Sequence, residues 1–272
     1  MPHDTERLLE EIRALRPWHL DIPLTESLST GSAFAAKTLE REDNAGVSLI
    51  SPRDACVNFV SRLFDGSLSG KSFLDCACNS GGYCFFAREL GAERCFGFDV
   101  RKHWIDQARF VQRHRTVAPV DKIEFREMDL ADLASLQLEP FDFVLFKGIF
   151  YHLADPIAAL KTVADLTRDV LWFNSATYDD ADGNSLYCTY ESPDPVMSGV
   201  HVLSWLPTGP QVMGKILYWC GFRDIRVTFH KKQLSVDEPR RGRIEIFAAK
   251  EPGRLDRLRN ATRLTPEKAI RW

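Results

Sequence analysis

Several patterns are missing from this 272-residue chain, and each absence closes off a class of function. Its seven cysteines contain no C-x-x-C pair, which disfavours a zinc site or a redox dithiol, and their odd number speaks against a closed disulfide framework. No apolar run approaches the roughly 20 residues needed to span a bilayer, so an integral membrane protein is not expected. No G-x-G-x-x-G occurs, which disfavours a dinucleotide such as NAD. The opening "MPHDTERLLEEIRALRP" is charged throughout and lacks the apolar centre of a signal peptide, so the expectation is a cytoplasmic protein without a membrane partner. Internal repeats and low-complexity tracts are also missing, which argues against solenoids and disordered arrays.

The composition that remains is that of a globular chain, 44% hydrophobic, 27% charged and 11% aromatic. Cys76, Cys78, Cys84 and Cys95 crowd one short region, where small buried thiols are the expected reading. The net charge of −3 hides an asymmetry. From Pro239 onward ten Lys or Arg face four acids, a local +6, so residues 1–238 carry −9. A basic end is either a solvated tail or a hold on an anionic partner such as RNA.

Along the chain, residues 1–70 form an N-terminal helical and irregular extension, a cap or lid, with helices expected at 4–15 and 54–64. Alternation then sets in. Strands are predicted at 72–77, 94–99, 122–127, 141–147 and 170–174, with helices at 82–90, 103–113 and 156–166. In the second of these helices Trp104, Ile105, Ala108 and Val111 share a face at helical spacing. Such alternation predicts an α/β fold with a mostly parallel sheet, helices on both faces, and ligands at the carboxyl ends of the strands. Residues 176–206 break the rhythm with Gly183, Pro193, Pro195, Gly199 and several aromatics, and are read as a functional insertion or lid after the fifth strand. A helix at 209–220 and strands at 222–230 and 243–250 follow, the two strands pairing as an antiparallel hairpin whose loop holds Pro239 and Gly242. Residues 251–272 read as a basic tail or helix. The main domain is therefore 71–250.

The stretch "FLDCACNSGGYCFFARELGAERCFGFD", residues 73–99, is a strand, a small-residue turn, a helix and a second strand closed by an acid. Its turn reads D-x-A-x-N-x-G-G. Small residues let the backbone pass close to a ligand, and Ala77 keeps that property. Asn79 tolerates the left-handed backbone region and can stand in for glycine at a tight turn. Gly81 and Gly82 bring the helix start forward.

These residues resemble the first motif of the class I S-adenosylmethionine-dependent methyltransferases, usually D-x-G-x-G-x-G. The resemblance covers residues 72–250, about two-thirds of the chain. It implies a Rossmann-like sheet of seven strands with an antiparallel last strand, and S-adenosylmethionine as cofactor with S-adenosylhomocysteine as product. Asp75, Ala77, Asn79 and Gly81 take the place of the first motif. Asp99, 24 residues beyond Asp75, matches the acid that holds the ribose hydroxyls, with Val100 after it. Asp129 matches the contact to the adenine amino group and Leu130 the residue flanking the ring. "FDFVLFKGIFYHLADP" resembles the fourth strand and its following loop, adding Lys147 to the cofactor set. "CNSGGY", "YH" and the upstream "WHLDIPL" further resemble the branch that includes the tRNA wobble-uridine carboxymethyltransferases. That branch holds an extra carboxylate with basic residues, whereas Leu153, Ala154 and Asp155 follow Tyr151-His152 here, so plain methyl transfer is expected.

Methyl transfer from a sulfonium needs alignment and, for a hydroxyl acceptor, a base. His152 is the leading base and Tyr151 the alternative; the other reading of His152 is a structural imidazole beneath the cofactor. Trp18, His19 and Tyr178 are the candidate substrate contacts. Asp179-Asp180 reads as a solvated pair, and no metal is expected. The acidic body and aromatic insertion favour a small-molecule hydroxyl acceptor. The alternatives are a tRNA-modifying methyl- or carboxymethyltransferase and a catalytically inactive S-adenosylmethionine-binding protein.

Overall fold

The structure, a computed structural model, describes residues 2–34, 44–45, 47–232 and 241–265. The chain divides into two compact units, Met1–Asp129 and Leu130–Trp272.

In the first unit α1 (Pro2–Ala14) leads into an irregular arm, and α2 (Arg53–Leu63) follows. Then come β1 (Ser72–Cys76), α3 (Gly82–Glu89), β2 (Arg94–Asp99), α4 (Lys102–His114) and β3 (Ile123–Glu127). The strands lie in the order β1-β2-β3, both pairs parallel. Every residue of β1 is buried, as a central parallel strand requires. The predicted apolar face of α4 is buried as expected, with Gln107 and Phe110 beside it.

Residues 15–24 of the arm are bound to this unit. Leu20, Ile22 and Leu24 are buried. Gln107 donates to the carbonyls of Leu15 (2.6 Å) and Pro17 (2.7 Å), and Arg115 donates to that of Pro23 (2.5 Å). Arg115 also pairs with Glu89 at 2.7 Å. Trp18 is wholly buried, edge-on to Phe110, with its indole N–H donated to Ile12 at 2.9 Å.

The second unit opens with a 3-10 helix at Leu130–Leu136 and runs through β4 (Phe141–Lys147), a 3-10 turn at Phe150–His152, and α5 (Pro156–Asp165). Asp155 caps α5 by accepting from Ala158, with Pro156 in the first turn, as an N-terminal helix signal should. Next are β5 (Thr167–Tyr178), β6 (Leu186–Tyr190), β7 (Leu203–Pro207), α6 (Pro210–Trp219), β8 (Asp224–Lys231), β9 (Arg241–Ala249) and β10 (Thr262–Arg263). Here the strand order is β10-β8-β9-β5-β4, parallel only at β4–β5, while β6 and β7 form their own antiparallel hairpin.

All seven predicted strands form, and β9 is the antiparallel one, lying between β5 and β8. Three differences change the reading. β5 runs to Tyr178, because residues 176–178 pair with 241–243 of β9, so the insertion begins later than its composition suggests. Gly242 lies inside β9 rather than in the loop, and Pro239 falls outside the described residues. Residues 251–265 are no helix: Leu255 and Leu258 are buried and β10 pairs with β8; the rest of the predicted tail lies outside the described residues.

Candidate active site

The turn after β1 resolves the oddity of its sequence. Ala77, Asn79 and Gly81, the three positions where the motif normally has glycine, all take left-handed backbone (φ 58°, 53° and 78°). The path of a glycine loop is thus kept with one glycine. Asn79 supports itself, its side-chain oxygen accepting the Ser80 N–H at 2.8 Å. Ala77 has no such support and carries the strain of the conformation, about 1–2 kcal/mol for an L-residue. Gly81 and Gly82 are required for space as well: a Cβ on Gly81 would collide with the Phe125 ring, and one on Gly82 would lie 2.9 Å from Leu20 Cδ1. The arm therefore backs the start of α3.

Asp75 is buried at the end of β1, and Asp99 is buried at the end of β2. The Asp99 carboxyl accepts the backbone N–H of Asn79 on Oδ2 and of Arg101 on Oδ1, both at 3.0 Å, which ties the turn to β2. Burial pushes its pKa up to about 6, against the pull of these N–H groups. Val100 is partly exposed beside it, and Asp129 follows Met128, whose N–H is bonded to the Asp99 carbonyl at 3.0 Å. All seven cysteines are free thiols, and six are buried. Burial raises the pKa of Cys76, Cys78, Cys84 and Cys95, the last to about 12, so they serve as packing groups. Gly97 makes room for two of them: a Cβ there would lie 3.0 Å from Cys84 Sγ and 3.1 Å from Cys78 Sγ.

This turn suits an adenosine-bearing cofactor. The left-handed positions keep side chains off one edge of the loop, and each Asp99 oxygen retains a further lone pair for a hydroxyl.

The second unit gathers the other candidates except Trp18 and His19. Leu130 is buried at the start of its first 3-10 helix. Lys147 ends β4 with its ammonium 5.3 Å from the Trp172 ring centre. Gly148, with φ 73°, then turns the chain. Tyr151 and His152 sit on the following 3-10 turn. Burial raises the Tyr151 pKa, with the positive charge of Arg243 pulling the other way. The phenol therefore keeps its proton at neutral pH. His152 Nδ1 lies 2.6 Å from Glu191 Oε2, which also accepts the Gly199 N–H at 3.1 Å. Arg243 donates to Asn174 Oδ1 at 3.0 Å. Tyr178 stacks on Tyr187 of the hairpin, ring centres 4.1 Å apart at 14°.

Two expected groups have other occupations. Trp18 offers no face to a ligand, since it belongs to the packing of the arm against α4. His19 places Nδ1 3.0 Å from the Ser48 carbonyl. Asp179 is buried against His230 (3.2 Å), unlike its exposed sequence reading, while Asp180 accepts the Gly183 N–H. Among the described residues no cluster of His, Cys, Asp or Glu is arranged to hold a metal. No described helix is long and apolar enough to cross a membrane. Nothing in the sequence marked Glu191, Arg243 or Asn174 as site residues, and Gly199 was read only as part of the insertion. Glu191 lies in that aperiodic insertion, and Arg243 is one of several basic residues at the start of a strand.

A family profile described as a methyltransferase domain matches residues 67–206. A tRNA U34 carboxymethyltransferase of Marinobacter nauticus is 27% identical over 175 residues, 64% of this chain and 50% of that protein. One from Campylobacter jejuni subsp. doylei is 24% identical over 193 residues, 70% of this chain and 62% of that one. The chain thus spans about half or a little more of the curated relatives it matches. Among solved structures, the N-terminal domain of EvdMO1, crystallised with SAH and D-fucose, superposes with a TM-score of 0.68 at 20% identity, covering 90% of this chain and 97% of that one. That likeness is one of fold, a Rossmann-like α/β architecture. The chain belongs to the methyltransferase domain family, within the class I, S-adenosylmethionine-dependent methyltransferases.

Proposed function

We propose that this protein transfers a methyl group from S-adenosylmethionine to a hydroxyl of a small-molecule acceptor. The observation that carries the cofactor half is the turn after β1, which keeps left-handed backbone at Ala77, Asn79 and Gly81 and ties itself to Asp99. When bound, S-adenosylmethionine supplies a methyl group whose bond to sulfur breaks, with the electron pair left on sulfur, as an acceptor lone pair forms the new bond to carbon. Asp99 accepts the ribose hydroxyls, Asp129 the adenine amino group, and Leu130 packs the ring. Asp75, Val100 and Lys147 complete that set. His152 takes the acceptor's proton, a role suited to an imidazole near neutral pH. Tyr151 stays protonated and orients the acceptor through its hydrogen bonds, with Tyr178 and Tyr187 as an aromatic wall. The −9 charge of residues 1–238 favours a small acceptor over a polyanion.

A second reading rests on Arg243. Leu153, Ala154 and Asp155 after Tyr151-His152 supply no cation, but the charge of Arg243, far away in sequence, acts on Tyr151 and offers a guanidinium for an extra carboxylate. This supports a tRNA wobble-uridine carboxymethyltransferase, in line with the tRNA U34 carboxymethyltransferases among its relatives.

The test is calorimetric titration with S-adenosylhomocysteine, with Asp99→Ala as control. Micromolar binding lost in the variant is the expected result. Wild-type protein that stays folded and binds neither this ligand nor carboxy-S-adenosylmethionine would defeat both active readings and leave the chain without the proposed chemistry.

A further inference from the structure

His152 is held by a residue from the insertion. Glu191 immediately follows β6, 39 positions along the chain, yet its Oε2 reaches His152 Nδ1 at 2.6 Å. Both side chains are largely shielded, 12% and 23% exposed. The same oxygen accepts the Gly199 N–H at 3.1 Å, so one atom closes the turn of residues 191–199 over the imidazole. Gly199 fits that closure for a reason of space. A Cβ there would lie 2.8 Å from both the Cβ and the carbonyl oxygen of His152. Ser204 Oγ donates to the Tyr151 carbonyl at 2.7 Å and Trp205 Nε1 to the Ala154 carbonyl at 3.1 Å, fastening the β6–β7 hairpin to both sides of His152.

We propose that Glu191 is a positioning residue that sets the tautomer of His152, and that the insertion exists in part to deliver it. A carboxylate has no proton to give, so at this distance Nδ1 must donate. Neutral His152 is then protonated on Nδ1 and carries its lone pair on Nε2. A hydroxyl proton moves to Nε2, and the carboxylate beside Nδ1 stabilises the imidazolium that results, by the logic of any base–orienter pair. This rests on the reading of His152 as base and deepens it. A fixed Nε2 acceptor is needed only if the acceptor arrives bearing a proton, which a hydroxyl does whether it belongs to a small molecule or to a modified uridine.

The experiment is nitrogen NMR of the full chain with ¹⁵N-labelled histidine, His152 being assigned by its loss in His152→Asn. The expected wild-type spectrum shows one tautomer, protonated on Nδ1 and unprotonated on Nε2. Glu191→Ala is expected to replace it with an exchange-averaged pair, and Glu191→Gln, whose amide can either give or take a hydrogen bond, with a mixture. Loss of the single tautomer in either folded variant supports the assignment. An Nε2-protonated ring in the wild type, or an unchanged tautomer in both variants, overturns it. With an acceptor in hand, Glu191→Ala should lower kcat by roughly 10²-fold and leave the KM for S-adenosylmethionine unchanged. Titration with S-adenosylhomocysteine keeps the two ideas apart: failure to bind removes the methyltransferase reading, while the tautomer still reports whether Glu191 holds the ring.

Discussion

Ala77 is the residue whose cost is easiest to isolate. It sits at φ 58° with no side-chain hydrogen bond to compensate. Ala77→Gly should therefore raise stability by about 0.5–1 kcal/mol, the relief of left-handed strain exceeding the added entropy of the unfolded chain. Chemical denaturation of the two proteins measures this directly. Asn79→Gly should show no such gain, since it loses the bond to Ser80. Asp99 yields a prediction in pH. Its pKa is raised to about 6 by burial, above that of an unfolded aspartate. Its contribution to folding is then fully present below the unfolded value and is lost as pH rises through about 6. Cofactor binding runs the opposite way, because ribose hydroxyls need the carboxylate as acceptor. S-adenosylhomocysteine affinity should fall as pH drops below about 6, approaching tenfold per unit, and Asp99→Asn should bind weakly without that slope. Calorimetry across this range separates the two.

At the level of elements, the question is what the chain's two ends do. The arm packs against the start of α3, where a Cβ on Gly82 would meet Leu20. Gly82→Ala should cost about 1–3 kcal/mol as an overpacking change. Leu20→Ala in the same molecule should return part of that loss; thermal denaturation of the single and double variants reads the coupling. At the other end Asp224 is wholly buried, paired with Arg226 at 2.7 Å and accepting the Leu255 N–H at 2.9 Å. Asp224→Ala leaves the Leu255 amide without its acceptor and the Arg226 guanidinium with Asp256 as its remaining carboxylate, and should cost about 1–3 kcal/mol. A change below 1 kcal/mol in denaturant unfolding would show that the segment after β9 is not anchored through it. Sequence charge alone made this segment a solvated tail, because local composition counts its arginines and cannot see that Leu255, Leu258 and Leu264 reach inward.

For the molecule as a whole, substitution of Arg243 tests which cofactor is used. Replacing it with Met should leave S-adenosylmethionine affinity within about twofold if plain methyl transfer is the activity. If a carboxylated cofactor is the ligand, binding of carboxy-S-adenosylmethionine should weaken by at least tenfold, the scale of one charge-assisted hydrogen bond. Competition calorimetry with both compounds distinguishes the cases. Binding of tRNA that weakens steeply with salt would support the second.

Much of this protein could be read along one dimension. Strand and helix periodicity located the seven main strands, and the likeness of residues 75–81 and of Asp99 to a family motif marked the candidate cofactor turn, because each signal is carried by residues close together in sequence. What tertiary structure decided joins residues far apart. Glu191 meets His152 across 39 positions and Arg243 meets Asn174 across 69. Trp18, an apparent substrate contact, is taken up by packing against a helix more than 80 residues later. No local pattern encodes such pairs: a hydrogen bond between distant residues leaves no period in the chain, and only the folded backbone brings its two ends together.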